Sequence, residues 1–156
     1  MKIRPVAATD RSAVLHLARR LAEQGTPADR DRRQVEAADE KSIAAAMDSP
    51  SPLSELLVAE ADGQLVGFVH VKTVLDYYTQ EQIGHVSDLV VAAHAQGRGL
   101  GRALLDAAHS WAIGRGYSMM QLFVLPENSG ARALYEGSGY RAEWLKYVRA
   151  LPPRGQ

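Results

Sequence analysis

The residues best suited to chemistry are the six in the segment Gln96-Gly97-Arg98-Gly99-Leu100-Gly101. The run at 86–91 before it predicts a strand, and the run at 102–111 after it predicts a helix. Glycine lets the backbone approach a ligand closely and adopt positive φ. The first turn of a helix carries unpaired N–H groups at its positive dipole end. The segment therefore predicts a binding site for an anion such as a diphosphate.

Two common phosphate-binding loops do not fit this segment. A P-loop requires Gly-x-x-x-x-Gly-Lys-Ser/Thr, but Arg102 stands where the lysine is required. The dinucleotide fingerprint requires Gly-x-Gly-x-x-Gly; counted from Gly97, its third glycine position also holds Arg102. The pattern Gln/Arg-x-x-Gly-x-Gly/Ala remains, and Gln96, Gly99 and Gly101 match it in register.

A second segment, at 128–140, reads Asn-Ser-Gly-Ala-Arg-Ala-Leu-Tyr-Glu-Gly-Ser-Gly-Tyr. It fills every position of the motif Asn-x-x-Ala-x-x-Leu-Tyr-x-x-x-Gly-Phe/Tyr. Together the two segments, with one apolar strand at about 118–124 between them, resemble the GNAT superfamily of acetyl-CoA-dependent N-acetyltransferases. The resemblance is specific over 86–140. Over 1–85 it rests on the order of the elements.

The resemblance implies acetyl-CoA as co-substrate and a set of residues that hold it. The loop amides would wrap the pyrophosphate, and Arg98 and Arg102 would pair with phosphates. The backbone of Leu89 and Val91 would pair with the pantetheine arm where the strands near 88 and 122 splay apart. The amide of Val90 or Val91 would stabilise the oxyanion. The implied coenzyme-binding residues are Leu89, Val90, Val91, Gln96, Gly97, Arg98, Gly99, Leu100, Gly101, Arg102, Asn128, Ala131 and Tyr135.

Acetyl transfer to an amine requires three things: a deprotonated amine, a stabilised tetrahedral oxyanion, and a proton for the departing thiolate. The resemblance implies Tyr135 as the proton donor, since a phenol of pKa ~10 can protonate a thiolate of pKa ~8.5. Asp88 is the predicted general base, directly or through water, with His85 and Glu81 as alternatives. Many relatives carry Glu-Asp here, and this chain has Ser87 in place of the glutamate. Because the chain has no cysteine, a thiol acyl-enzyme is excluded and direct attack by the amine is favoured.

Composition narrows the classes of protein that fit. The 156 residues predict one N-acetyltransferase domain over 1–156, with an acetyl-CoA-binding core at 86–140. Lys and Arg number 18 and so do Asp and Glu, so the chain lacks the basic excess of a nucleic-acid-binding domain. Without cysteine there is no zinc-thiolate site, and no metal is predicted. No signal-peptide core or membrane span is evident, which predicts a cytoplasmic protein with no membrane partner.

Hydrophobic periodicity and turn signals predict the element order β-α-α-β-β-β-α-β-α-β. This is the order of an α/β (α+β) GNAT fold, with a mixed, mostly antiparallel central sheet of six to seven strands flanked by about four helices. Asp62-Gly63 predicts a hairpin turn. The segment 141–150 predicts one long strand or two very short ones. Trp144 and Tyr147 in it would lie near an exposed sheet edge and offer a surface for a homodimer.

The predicted function is transfer of an acetyl group from acetyl-CoA to a primary amine of a small molecule. The acceptor pocket is expected to come from residues 23–31, the Tyr77-Tyr78 loop and the C-terminal strand. Two alternatives stay open. One is acetylation of a protein N-terminus or lysine, and the other is a catalytically silent module that binds coenzyme A.

Overall fold

The computed structural model describes residues 1–155, and within them the chain forms five strands and four α-helices. The strands are β1 (Lys2–Pro5), β2 (Ser54–Ala61), β3 (Gln64–Leu75), β4 (Gln82–Val91) and β5 (Met120–Leu122). The helices are α1 (Arg11–Ala18), α2 (Arg32–Asp48), α3 (Leu100–Gly114) and α4 (Ser129–Gly137). Short 3₁₀ turns occupy Ala8–Asp10, Arg19–Gln24 and Ala93–Ala95. The predicted order of elements is confirmed as far as α4.

The strands form one mixed sheet in the order β1-β2-β3-β4-β5. The first four are antiparallel to their neighbours, and β5 runs parallel to β4. The predicted hairpin turn between β2 and β3 is present: Asp62 and Gly63 have φ of 52° and 75°, which is the left-handed conformation that such turns require. This is the expected α/β arrangement with a mostly antiparallel sheet.

The predicted number of strands is wrong, because the sheet has five and not six to seven. The difference lies at the C-terminal end of the described chain. Residues 141–150 were predicted to form a strand, but they belong to no helix or strand and all of them are exposed. A strand is stable only beside a neighbour that takes up its backbone hydrogen bonds. Within residues 1–155 this segment pairs with no such neighbour.

The core lies between the sheet and its helices. Helix α1 packs on β3 and β4, α2 on β2, and α3 on β2, β3 and β4. Helix α3 shows why the sequence folds this way: Leu100, Leu104 and Ala108, spaced four apart, are all buried, while Asp106 on the other side is exposed. Because α3 is held along this stripe, its N-terminus is fixed at the end of β4.

None of the helices in the described chain combines the length and the apolar character needed to cross a bilayer. The cytoplasmic location stays a prediction.

Candidate active site

The central feature of the site is an opening between two parallel strands. Strands β4 and β5 pair from Gly84 with Met120 to Val86 with Leu122, and the pairing ends there although β4 continues to Val91. The splay predicted near 88 and 122 is therefore present. A cleft of about 200 Å³ lies in this region. Its walls come from the turn after α1, helix α2, the end of β4, the segment after β5, and α4; they include Leu21, Gln24, Asp39, Ser87, Asp88, Leu89, Phe123, Val124, Asn128, Ala131 and Tyr135.

A β-bulge lies in β4 beside the cleft. His70 of β3 pairs with Asp88 and the next residue, Val71, pairs with Val86, so Ser87 is an extra residue without a partner. A bulge reverses which residues direct their peptide groups to a given neighbour. Before the bulge, the N–H of Gly84 donates to the carbonyl oxygen of Met119, on the β5 side.

After the bulge, the odd-numbered residues face the opening. The N–H of Ala92 donates to a β3 carbonyl oxygen at 2.8 Å, so by alternation Val90 also directs its peptide group to β3. From the opposite side, Arg20 Nε donates to the carbonyl oxygen of Val91 at 3.0 Å. Leu89, which lines the cleft, and Val91 therefore direct their peptide groups away from β3, and their pairing with the coenzyme arm stays a prediction. The amide of Val90 is not available to a ligand, because it belongs to the hydrogen-bond ladder between β3 and β4 and the side chain of Val90 is fully buried. Of the two predicted oxyanion donors, the geometry therefore favours Val91.

The glycine-rich loop leaves its backbone amides open. Gly97 and Gly99 have φ of 75° and 77°, and Gly99 is the N-cap of α3 without any side-chain cap. The first hydrogen bond of the helix runs from the N–H of Ala103 to the carbonyl of Gly99 at 3.0 Å, so the preceding amides have no partner in the helix. A Cβ built at either glycine would meet no atom within 4 Å. This open row of donors at a helix N-terminus fits a diphosphate.

The side chains around the loop divide into two groups. Gln96, Arg98 and Arg102 are exposed, and Arg102 Nε donates to Asp106 Oδ1 at 3.1 Å. An exposed ion pair of this kind contributes little and does not prevent Arg102 from turning to a phosphate. Leu100 is buried in the core, so only its amide is open to a ligand. At Gly101 an added Cβ would lie 3.2 Å from Leu134 of α4, and glycine thus allows α3 and α4 to approach.

Helix α4 begins at the cleft with a side-chain cap. Asn128 Oδ1 accepts a hydrogen bond from the N–H of Ala131 at 3.2 Å, and its Nδ2 donates to Gln24 Oε1 at 3.4 Å. The predicted cap is present, and Asn128 and Ala131 both line the cleft.

Removing this cap should destabilise the protein. We expect Asn128→Ala to lower the free energy of unfolding by about 1 kcal/mol, because an N–H at the helix start loses its acceptor. The matched control is Asn128→Asp, which keeps the acceptor for Ala131 and loses the donor to Gln24, and it should retain most of the stability. Urea unfolding curves measure both, and equal stability of wild type and Asn128→Ala would show that the cap contributes nothing.

Tyr135 projects from α4 into the cleft. Burial raises the pKa of its hydroxyl, and the negative charge of Asp88 raises it further. Its ring packs edge-on against Tyr140, with 5.9 Å between the ring centroids. Its hydroxyl forms no hydrogen bond with the residues that the structure describes. The phenol is thus held neutral, with its proton available to a group in the cleft.

Asp88 lies on β4 at the bulge, with its side chain 15% exposed. Its Oδ2 is 3.3 Å from Nδ1 of His70, which is buried on β3 directly opposite. The residue pairing therefore fixes the carboxylate at the mouth of the strand opening. Asp88 and Tyr135 line the same cleft.

The two alternative bases lie outside the cleft. His85 is buried on β4, its Nδ1 lies 3.0 Å from Nε2 of Gln121, and burial, reinforced by Lys72, lowers its pKa. Glu81 is exposed in the loop before β4. Neither is placed to reach a group bound between the strands.

One acidic residue of the cleft was missed by the sequence analysis. Asp39 lies on α2, and burial raises its pKa, as does the negative charge of Asp88. The sequence carries a signal for Asp39. It is spaced four residues from Val35 and from Ile43, so the three share one helix face, and Val35 and Ile43 are apolar. A carboxylate on the inner face of a helix usually has a partner or a function.

A larger, shallow hollow of about 540 Å³ lies on the surface of α1, lined by Arg11, Ser12, His16, Arg19 and Glu40 among others. It contains none of the predicted site residues. In the described residues, no group of three or more His, Cys, Asp or Glu is arranged to hold a metal, and the absence of a metal stays a prediction.

Comparison with known proteins places this chain in a family. The family model of the acetyltransferase (GNAT) family matches residues 15–140. An uncharacterized N-acetyltransferase, YhfO of Bacillus subtilis (strain 168), is 31% identical over 103 residues, which is 65% of this chain and 69% of that protein. The mycothiol acetyltransferase of Beutenbergia cavernae is 44% identical over 81 residues, which is 52% of this chain but 26% of that longer protein.

The fold agrees with these sequence matches. The crystal structure of the ribosomal-protein-alanine N-acetyltransferase from Brucella melitensis biovar Abortus 2308 aligns with a TM-score of 0.72 at 24% identity, covering 97% of this chain and all of the other. With the family model spanning most of the sequence, the chain belongs to the GNAT family of acetyltransferases, which use acetyl-CoA as co-substrate.

Proposed function

We propose that this acetyltransferase acetylates the primary amine of a small, cationic molecule, and that residues 1–156 belong to one catalytic domain with the coenzyme-binding core at 86–140. The proposal rests on one observation: Asp88, Leu89 and Tyr135 line one cleft at the strand opening, and Val91 follows on β4 beyond the last β4–β5 pair. The open loop amides at 97–102 follow directly along the chain.

The cleft supports the choice of acceptor. Its volume of about 200 Å³ has to take the end of the coenzyme arm as well as the acceptor, since Leu89, Asn128 and Tyr135 line it, and this favours a small amine. The two carboxylates of Asp39 and Asp88 face it from α2 and β4, and they would attract an ammonium group. The names of the relatives do not agree on a class of acceptor, because one names mycothiol and another names a ribosomal protein. The limited volume of the cleft is the observation that supports our choice of a small molecule.

Each residue has a role that follows from its position. Bound acetyl-CoA supplies an acetyl thioester. Asp88 takes the proton from the incoming ammonium, directly or through water, since an amine of pKa ~10.4 is protonated at neutral pH. The N–H of Val91 is free to donate to an oxyanion. As the C–N bond forms and the C–S bond breaks, Tyr135 donates its proton to the departing thiolate and is reprotonated by the second proton that the amine nitrogen loses; burial keeps the phenol protonated beforehand.

A panel of acceptors tests the function. Release of coenzyme A is followed with a thiol reagent, for which the cysteine-free chain gives no background. We expect turnover with small diamines or amino sugars that exceeds turnover with N-terminal and lysine peptides. Faster turnover with peptides would favour protein acetylation. Tight acetyl-CoA binding with no release across the whole panel would favour a silent coenzyme-binding module.

Asp88→Asn tests the general base. We expect it to lower kcat/KM about 100-fold at neutral pH, with recovery as the pH approaches the pKa of the free amine at ~10.4, because the amine then loses its proton without help. The pH–rate profile of thiol release measures this. Glu81→Gln, on the exposed loop, is the control and should match the wild type. A loss for Asp88→Asn that is equal at all pH values would contradict a role as base.

A further inference from the structure

His70 is a buried histidine in the middle of the sheet, directly across from Asp88. On β3 it pairs with an apolar residue on one side, Leu56 of β2, and with Asp88 of β4 on the other. Its Nδ1 lies 3.3 Å from Oδ2 of Asp88. A buried ring nitrogen needs a hydrogen-bond partner, and within residues 1–155 the carboxylate of Asp88 is the partner that this ring has.

The bulge at Ser87 creates this contact. On the N-terminal side of the bulge in β4, Val86 pairs with Val71. A regular ladder would therefore place Ser87 across from His70, and it would turn the side chain of Asp88 to the opposite face of the sheet, because successive side chains alternate. The extra residue moves Asp88 onto the face of His70. The irregular register thus brings a carboxylate and an imidazole together.

Asp88 must carry a negative charge to accept a proton, and its surroundings oppose that charge. Its side chain is 15% exposed. The titratable groups that act on it electrostatically are Asp39 on α2, Tyr135 on α4 and His85 on its own strand. Of these, the carboxylate of Asp39 repels it. A buried carboxylate is stable only with a hydrogen bond or an opposite charge, and in the described chain His70 is the residue that hydrogen-bonds to it.

We propose that His70 is the positioning residue for the base: its Nδ1–H holds Oδ2 of Asp88, and Oδ1 is left for the acceptor amine. An ionised carboxylate can only accept a hydrogen bond, so Nδ1 carries the hydrogen in this contact. Holding one oxygen fixes the orientation of the carboxylate, so that the other oxygen meets the amine from one direction. This role rests on the proposed function, in which Asp88 takes a proton from the amine.

Two variants of nearly equal size separate the hydrogen bond from packing. Asparagine carries its Nδ2 on Cγ, as histidine carries its Nδ1, whereas leucine offers no donor there. We expect His70→Leu to lower kcat/KM for the acceptor about 10- to 100-fold with unchanged affinity for acetyl-CoA. His70→Asn should retain most of the activity. Equal losses in the two variants would contradict a role for the donor.

A double-mutant cycle shows whether His70 acts through Asp88. In the Asp88→Asn background, His70→Leu should cause no further loss of kcat/KM, because the two residues act as one unit. A full additional loss would overturn the proposal. Normal turnover of Asp88→Asn alone would contradict the base itself, and the positioning role with it. A slow Asp88→Asn beside a normal His70→Leu would overturn the positioning role and leave the proposed function standing.

His85→Leu is the control for placing a leucine where a buried histidine stood. His85 is 8% exposed against 7% for His70 and lies on the same face of the sheet, because it pairs with Lys72, two residues after His70. It does not line the cleft. This variant should change stability in a similar way and keep its kcat/KM. A loss as large as that of His70→Leu would assign the effect to packing and overturn the proposal.

Nitrogen-15 NMR of the imidazole rings provides a test on the wild type that needs no turnover. The signals of His70 are identified by their absence from the spectrum of His70→Asn, or of His70→Leu if the first variant does not fold. At neutral pH, Nδ1 of His70 should carry a hydrogen. An Nδ1 without a hydrogen would overturn the proposal, because it could not donate to the carboxylate.

Discussion

Replacing Gly99 by glutamate should abolish measurable binding of acetyl-CoA. A side chain at this position would enter the open space before the loop amides, where no protein atom lies within 4 Å of an added Cβ. Its negative charge would repel a diphosphate in the same space. We expect the affinity to fall at least about 100-fold, which corresponds to about 2.7 kcal/mol. Isothermal titration calorimetry measures it directly.

Backbone strain is the competing explanation for such a loss, and the chain offers a matched control. Gly116, after α3, has φ of 78° against 77° for Gly99, and a Cβ there also meets no atom within 4 Å. Gly116→Glu therefore carries the same strain and the same charge at a position away from the loop. It should lose similar stability and bind acetyl-CoA normally. Unchanged affinity of Gly99→Glu, or an equal loss in both variants, would refute the assignment of the loop.

Tyr135→Phe should lower kcat by about 100-fold or more, the usual contribution of a general acid, while acetyl-CoA affinity changes little. The variant removes the hydroxyl and keeps the ring that packs against Tyr140. Because burial and Asp88 hold the pKa of Tyr135 above its usual value of ~10, the wild type should keep its proton donor throughout the neutral range. Turnover of the wild type should therefore show no fall from this group until the pH exceeds ~10.

Tyr140→Phe is the control for this second prediction. Burial, together with Tyr135, raises the pKa of Tyr140 to about 12, and its hydroxyl bonds to His109 rather than facing the cleft. Its loss should cost about 1 kcal/mol of stability and leave kcat unchanged. If Tyr135→Phe lowers binding and kcat by the same factor, its role is packing and not proton transfer.

The sequence was sufficient for most of the fold, because local signals were strong. The Asp62-Gly63 turn, the stripe of α3 and the glycines before it each follow from short-range patterns. The splay of β4 from β5 followed from the family resemblance, and the strand pairing confirms it at Val86 and Leu122.

The features that could not be predicted depend on long-range pairing. The bulge at Ser87 exists only in register with β3, and it decides that Val91 rather than Val90 turns its amide away from β3. Asp39 enters the site through the packing of α2, which is remote in sequence from β4. The segment 141–150 has the pattern of a strand, but forming one requires a neighbouring edge, and no pattern within the segment says which edge that is.

A crystal structure with acetyl-CoA tests most directly whether the loop at 96–101 holds the diphosphate. The diphosphate oxygens should lie within hydrogen-bonding distance of the amides from Gly97 to Arg102. The coenzyme arm should run along the edge of β4 at Leu89 and Val91, with its sulfur near the hydroxyl of Tyr135. A coenzyme bound elsewhere, or a loop that stays without contact to the diphosphate at saturation, would contradict the assignment on which the proposed function depends.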